Sequence, residues 1–290
     1  MDGICFYFPT NHNSIHVWNS KSTRNPLDKL RRTTLKIVAC IKQVPDSAAR
    51  VISENGQVTW GDSPLVINPW DEYAVEAALR QKEAHGGTVI AVSMGGESAK
   101  EALKHALAMG CDEAILISDP ALASIDTRAT AEVLAAAIKK TGEVDVAFFG
   151  RQAIDGDAGI TPVQTARMLG WPMLSLASVV TIEGSNVKVE RATEEGRQIV
   201  SARLPAALSI IKDFGEPRYP SFMGIRKASR TEIPTWSLAD LGIAAPATVV
   251  SWPAVMNPPS REVSVEIIQG GSPQEIAEKL ADKILAEKVL

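Results

Sequence analysis

Short apolar runs alternate with helical stretches along the first half of the chain, and this alternation constrains the fold more than any single motif. Residues 35–41 are apolar and β-branched, and 88–93, 114–118 and 145–149 repeat the pattern. Between them, helical spacing runs from near Asp71 onward, over 98–108 and over 127–139. The first of these helices carries acids early and Arg80 and Lys82 late, which matches the helix dipole. Strands separated by helices in this order predict a parallel sheet with right-handed crossovers. Asn55-Gly56, inside 51–59, predicts a hairpin turn.

In such a sheet ligands bind beyond the carboxyl ends of the strands. The segments expected there are 43–46, Met94-Gly95-Gly96, Asp119-Pro120 and Gly150-Arg151-Gln152-Ala153-Ile154-Asp155-Gly156-Asp157-Ala158-Gly159-Ile160-Thr161-Pro162. The last is a strand that breaks at glycine, crosses a small polar loop and enters helical spacing at 163–169. A helix amino terminus offers unpaired N–H groups and partial positive charge to a phosphate. Thr161 fits the cap and Pro162 the first helical position. The competing reading is a tight turn carrying Asp155 and Asp157 on a solvated loop.

After Trp171-Pro172 the texture changes. Residues 175–182, 187–191, 198–203 and 206–211 read as closely spaced strands, an antiparallel meander extending the sheet. Glu216-Pro217-Arg218-Tyr219-Pro220-Ser221-Phe222-Met223-Gly224-Ile225 then reads as a rigid loop, with Phe222 and Met223 either plugging the core or forming an apolar tip. From Pro234 the chain is proline-studded, up to an amphipathic helix from Ser272-Pro273 to about Glu287 with a capping-box pattern at Ser272 and Glu275. The expected organisation is a leader over 1–34, either disordered or a misassigned start, an α/β domain over 35–233 and an arm over 234–290 that packs on a partner. The fold class is α/β: a mostly parallel twisted sheet with flanking helices, an antiparallel extension and a C-terminal arm.

Composition removes several classes. The chain has 290 residues, 45% hydrophobic and 22% charged, with a net charge of −4 and no basic stripe, which argues against nucleic acid. Cys5, Cys40 and Cys111 are scattered without metal-ligand spacing, as are His12, His16, His85 and His105. No apolar run approaches the roughly 20 residues of a membrane span. No nucleophile elbow, Walker loop or Ser/His/Asp set is present. A nucleotide fold without catalytic side chains points to a cofactor holder, whose chemistry belongs to the cofactor.

Five motifs, in order, resemble the beta (small) subunit family of electron transfer flavoproteins over 35–290. They are Val38-Ala39-Cys40-Ile41-Lys42-Gln43-Val44-Pro45-Asp46, Asn68-Pro69-Trp70-Asp71-Glu72-Tyr73-Ala74-Val75-Glu76, Ala106-Leu107-Ala108-Met109-Gly110, Gly150 through Asp157, and Glu216-Pro217-Arg218-Tyr219. The resemblance implies a cytoplasmic electron carrier rather than a self-contained enzyme. It implies a heterodimer with an alpha subunit that shares an FAD, and AMP or a second FAD in the beta site. The nucleotide contacts it implies are Ala39, Asn68, Pro69, Trp70, Asp71, Met94, Asp155, Gly156, Asp157, Ala158, Gly159, Ile160, Thr161, Pro162, Val163, Gln164, Thr165 and Ala166. The recognition loop for acyl-CoA dehydrogenases and similar partners maps to Arg218, Tyr219, Pro220, Ser221, Phe222, Met223, Gly224, Ile225, Arg226 and Lys227, with Phe222 as anchor.

Lys42 to Asp46, Gly150 to Asp157 and Asp126-Thr127-Arg128-Ala129-Thr130 are similar to the electron-bifurcating type, which favours FAD. Pro162 stands where the family usually has glycine and lacks an N–H, which favours AMP. Two other classes compete: a universal-stress-like nucleotide-binding signalling module, and a small-molecule enzyme using Asp155 or Asp157 as base.

Overall fold

A computed structural model describes Ser14–Ile15 and residues 34–252, 254–259 and 265–288. The expected leader over 1–34 thus lies outside the described residues except for Ser14–Ile15 and Thr34, and Cys5, His12 and His16 lie outside them too. Strand β1 (Ser14–Ile15) is followed by β2 (Leu35–Ile41), four short strands, β3 (Gln43–Pro45), β4 (Ile52–Glu54), β5 (Gln57–Thr59) and β6 (Leu65–Ile67), and helix α1 (Pro69–His85). Then come β7 (Gly87–Met94), α2 (Lys100–Met109), β8 (Glu113–Ile117), α3 (Thr127–Lys140), β9 (Val146–Gly150) and α4 (Thr161–Leu169). The second half holds β10 (Met173–Glu183), β11 (Asn186–Thr193), β12 (Gly196–Arg203), β13 (Ala206–Ile210), α5 (Phe222–Ala228), β14 (Thr235–Trp236), α6 (Leu238–Leu241) and α7 (Pro273–Ala286).

The main sheet has the order β1-β12-β11-β10-β13-β9-β2-β7-β8-β14. From β10 to β14 every pair runs parallel. From Ile37 to Ile41 both faces of β2 are buried, which is why that stretch reads as an unbroken apolar run. Ile37, Ala39 and Ile41 join the core under α1 and α2, whereas Val38 and Cys40 join the one under α3 and α4.

Three expectations change. The meander is β10–β11–β12, antiparallel as expected, but β13 leaves it and inserts parallel between β9 and β10, with Leu208 level with both Phe148 and Leu174. All five residues of β13 are buried, the pattern of a central parallel strand rather than of a half-solvated one. The chain after Pro234 begins with β14, which extends the sheet beside β8, so the first residues assigned to an arm belong to the α/β unit. Finally, α1 starts at Pro69, before Asp71, because Pro69 occupies the first position, where its missing N–H is harmless.

Contacts divide the chain into two compact units, and Ile52–Val58 with Ala254–Leu290 form the smaller. In it, Asn55 (φ 53°) and Gly56 (φ 76°) make the expected hairpin turn. The returning chain pairs with that hairpin: Val255 N–H donates to Gly56 O at 3.1 Å, and Ser53 N–H to Asn257 Oδ1 at 2.7 Å. Helix α7 is capped by Ser272, which accepts from Glu275 N–H at 3.2 Å. The reciprocal bond of a capping box shifts by one residue, since Glu275 accepts from Gly271 N–H at 2.8 Å. Ile276, Leu280 and Leu285 stay exposed on α7.

One carboxylate ties three elements of the larger unit together. Asp71, in the first turn of α1, is buried and accepts Lys42 N–H at 2.8 Å on Oδ2 and Gly150 N–H at 3.2 Å on Oδ1. It therefore joins the ends of β2 and β9 to α1. Gly150 must lack a Cβ, which would stand 2.4 Å from Asp71 Oδ1 and 2.7 Å from the Trp70 carbonyl. Burial pushes the Asp71 carboxyl up to about 7, against the pull of the Lys42 N–H, Asn68 and the Gly150 N–H.

In the unfolded chain an Asp titrates near ~3.9. The folded state therefore binds the extra proton between that value and 7. The stability so gained is complete below about pH 4 and is lost as the pH rises to 7. The fall in thermal midpoint between pH 5 and pH 8 should be smaller in Asp71→Asn than in the parent protein; equal falls would remove the assignment. Asp71→Ala leaves two buried N–H groups unpaired and should cost about 2–4 kcal/mol in urea denaturation.

Candidate functional site

The order β9-β2-β7-β8 with all four strands parallel sets their carboxyl ends side by side. The segments 43–46, 95–96, 118–120 and 151–162 leave the sheet at that end. This is the mouth that the strand order of an open α/β sheet provides for a ligand.

Asn68, the residue before α1, is fully buried and clamps the loop after β9. Its Nδ2 donates to Gln152 O at 2.9 Å, and its Oδ1 accepts Ile154 N–H at 3.2 Å. The Arg151 guanidinium lies 5.6 Å from the Trp70 ring centroid, and Lys42 Nζ pairs with Asp155 at 2.5 Å. Gln152 Nε2 donates to Asp157 Oδ1 at 2.8 Å. Asp157 (φ 47°) and Gly159 (φ 63°) take left-handed backbone, turning the loop toward α4. For Asp157, a non-glycine in that region, the strain is of the kind that gathers at functional sites.

Thr161 is not the cap of α4. Ile160 occupies that position in right-handed helical geometry, with no side-chain cap bond, and Thr161 O instead accepts Thr165 Oγ1–H at 2.8 Å. Loop backbone bonds stop at the Gly156 and Asp157 N–H groups, both on Ala153 O, and resume at Gln164 N–H on Ile160 O. The N–H groups between, from Ala158 through Thr161, and that of Val163 have no acceptor among the described residues. Pro162, second in the helix, contributes none. An uncapped helix start behind a left-handed loop is a ready anion cradle. Two buried polar atoms at this end of the sheet, Ser93 Oγ and Gln164 Oε1, also lack a partner among the described residues. Orphaned buried groups are rare, and here they suit a polar ligand.

The sequence-derived residues are placed unequally. Asn68, Pro69, Trp70 and the loop 155–161 gather at the mouth, and Met94 ends β7 beside them. Asp71 lies there too, but its oxygens are taken by the strand ends. Ala39 is enclosed two residues inside β2, paired on both sides, so Lys42 is what reaches the loop from that strand. Pro162, Thr165 and Ala166 are buried, Val163 is exposed, and Gln164 is half-buried. Lys42, Arg151 and Gln152 are absent from the expected contacts, although all three lie within two residues of a strand end, where topology places ligand groups. The Asp126 motif turns elsewhere: its carboxylate caps α3 through Ala129 N–H at 2.8 Å and accepts Val249 N–H at 2.7 Å and Val250 N–H at 3.0 Å.

The segment read as a rigid loop ends in helix α5. Ser221 caps it, accepting Gly224 N–H at 2.9 Å, a signal that the flanking prolines and Gly224 obscured. Gly224 lets α5 pack against the end of α2, since a Cβ there would stand 2.2 Å from Ala108 O. Tyr219, Phe222, Met223 and Ile225 are exposed, Phe222 by 81%, so none of them plugs the core. Arg226, Lys227 and Arg230 line a shallow concavity of about 430 Å³ with Met223. Arg218 faces inward to Glu76 and Glu83. A second cavity, of about 410 Å³, is lined by Leu35, Asp145, Trp171 and Pro205 at the opposite end of the strands, away from the mouth.

Among the described residues, no cluster of His, Cys, Asp and Glu could hold a metal. Cys40 and Cys111 are buried, and burial, with Asp71 and Asp112 nearby, pushes both thiols up, Cys111 to about 12. Neither is a poised nucleophile. Among the described residues, no helix is long and apolar enough to cross a membrane.

Comparison with known proteins identifies the family. A model of the electron transfer flavoprotein domain matches residues 61–241. The electron transfer flavoprotein subunit beta of Megasphaera elsdenii is 35% identical over 272 residues, covering 88% of this chain and 100% of that one. The corresponding subunit of Clostridium acetobutylicum is 40% identical over 210 residues, covering 72% of this chain and 81% of its own. The caffeyl-CoA reductase-Etf complex subunit CarD of Acetobacterium woodii is 35% identical over 263 residues, with 88% and 100% covered. The chain belongs to the beta-subunit family of electron transfer flavoproteins.

Proposed function

We propose that this chain works as the beta subunit of a cytoplasmic electron transfer flavoprotein heterodimer, holding an adenine nucleotide in the mouth of its sheet and docking a flavin dehydrogenase of the acyl-CoA type on α5. The observation that carries the nucleotide reading is the uncapped start of α4 behind the left-handed Asp157 and Gly159. There, the N–H groups from Ala158 to Thr161 would take phosphate oxygens, with Gln164 and Ser93 supplying acceptors for ribose or base. Arg151, over the Trp70 ring, adds positive charge beside the cradle, while the charge of Lys42 is balanced by Asp155.

The ligand we favour is a second FAD over AMP. The Lys42 to Asp46 and Gly150 to Asp157 motifs support this reading, and the relative from the caffeyl-CoA reductase-Etf complex is consistent with it. FAD supplies redox chemistry where AMP supplies none, so the choice separates a bifurcating complex, which divides the electron pair of NADH between two acceptors, from a simple carrier in fatty acid β-oxidation. Pro162 is the opposing feature, because it removes one N–H from the diphosphate end. The signalling-module reading loses ground to the meander, the α5 tip and the family membership. No base is poised at Asp155 or Asp157, which pair with Lys42 and Gln152.

Co-expression with the alpha subunit, acid release and nucleotide quantitation tests the ligand. Two FAD per heterodimer is the expected result, and one FAD with one AMP would replace it. Phe222→Ala should lower electron transfer from an acyl-CoA dehydrogenase at least about tenfold, as loss of an interface anchor does, with flavin content unchanged. Loss of flavin instead would show that Phe222 supports cofactor retention rather than docking.

A further inference from the structure

The exposed tip is held by charges that lie away from it, on α1. Arg218 Nε donates to Glu76 Oε2 at 2.7 Å and Nη1 to Glu83 Oε1 at 2.5 Å, while Nη2 reaches Glu76 Oε1 at 3.3 Å and Glu83 Oε2 at 3.2 Å. The Arg218 backbone N–H also donates to Glu76 Oε2, at 3.2 Å. From the other side, Arg80 Nε donates to Glu76 Oε1 at 2.7 Å, and its guanidinium sits 4.9 Å from the Phe214 ring centroid. Glu76, Arg80 and Glu83 lie at helical spacing along one face of α1. The Glu76 side chain is only 4% exposed. Burial pushes its carboxyl up, and the bonds from Arg218 and Arg80 outweigh that and hold it below the usual range.

Such a network is larger than one surface ion pair requires. A buried carboxylate demands complete pairing, and only a planar guanidinium can fork to two carboxylates at once. The segment it grips leads, within four residues, to Phe222. Beyond Phe222, Gly224 is pressed onto Ala108 O. The tip is therefore fixed at both ends. We infer that Arg218 and Glu76 are positioning residues that pre-order the docking tip, and that Arg218 is not itself a contact with the partner. This rests on the reading of α5 as a docking element. Pre-ordering matters because a loop that must freeze on binding loses affinity to its own entropy.

The test uses the flavin-loaded heterodimer and a purified short-chain acyl-CoA dehydrogenase as electron donor. Glu76→Gln and Arg218→Gln should each raise KM for the dehydrogenase about tenfold, with kcat and flavin content near the parent values. Arg218→Lys, which keeps the charge but cannot fork, should fall between. Amide exchange over 216–228 should accelerate in all three variants. Glu76 is too buried to touch a partner, so a KM rise in Arg218→Gln without one in Glu76→Gln would overturn the inference in favour of a direct contact. Unchanged exchange over 216–228 would overturn it as well. Phe222→Ala separates the premises: if it leaves KM unchanged, the docking reading fails, whereas the exchange result still decides the lock.

Discussion

The carboxylate of Asp71 is the constraint on which the site depends. A buried acid with two backbone donors cannot shift without leaving charge or N–H groups unpaired in a low-dielectric core. Those donors belong to the first residue after β2 and the last residue of β9. The distance between two strand ends, and the angle at which the loop after β9 sets out, are thus fixed by one residue of α1. Gly150 is the complement of this arrangement, since only a residue without a Cβ lets the Trp70-Asp71 backbone come so close.

Helix α1 positions more than one surface feature. Asn68, just before its first turn, clamps the loop after β9 that forms the candidate cradle. Two turns later Glu76 grips the segment leading to the exposed tip. One rigid element thus sets the geometry of both the cradle and the approach to α5. The pairing of buried acid with backbone N–H at one end, and buried acid with guanidinium at the other, uses the same physics twice: a desolvated carboxylate is expensive unless every lone pair is answered.

Small residues set the remaining distances. Gly224 against Ala108 allows α5 to lie on the end of α2, and Gly150 allows the close pass at Asp71. At the candidate cradle the free N–H groups belong to the backbone, so conformation matters there more than side-chain identity. There Asp157 and Gly159 hold left-handed turns and Ile160 leaves the helix start open. Loops of this kind, built on a rigid parallel sheet, are where ligand contacts concentrate.

The sequence by itself determined the parallel core, because strands buried on both faces must be apolar throughout and β2, β7 and β9 show that signature. It placed the loop after Gly150 at the mouth of the sheet, since strand ends converge in any such sheet, and the five motifs named the family. It could not decide whether Ala206–Ile210 closes a meander or enters the core, because periodicity reports burial and not the neighbour. It could not tell that Asp71 and Arg218 face inward, for an acid or a guanidinium in a motif reads the same whether it meets a ligand or its own fold. Nor could it show that Thr161 leaves α4 uncapped, or that Ser221 starts a helix between prolines. Those outcomes depend on contacts between residues up to 142 positions apart, such as Glu76 and Arg218, which only the tertiary structure brings within hydrogen-bonding distance.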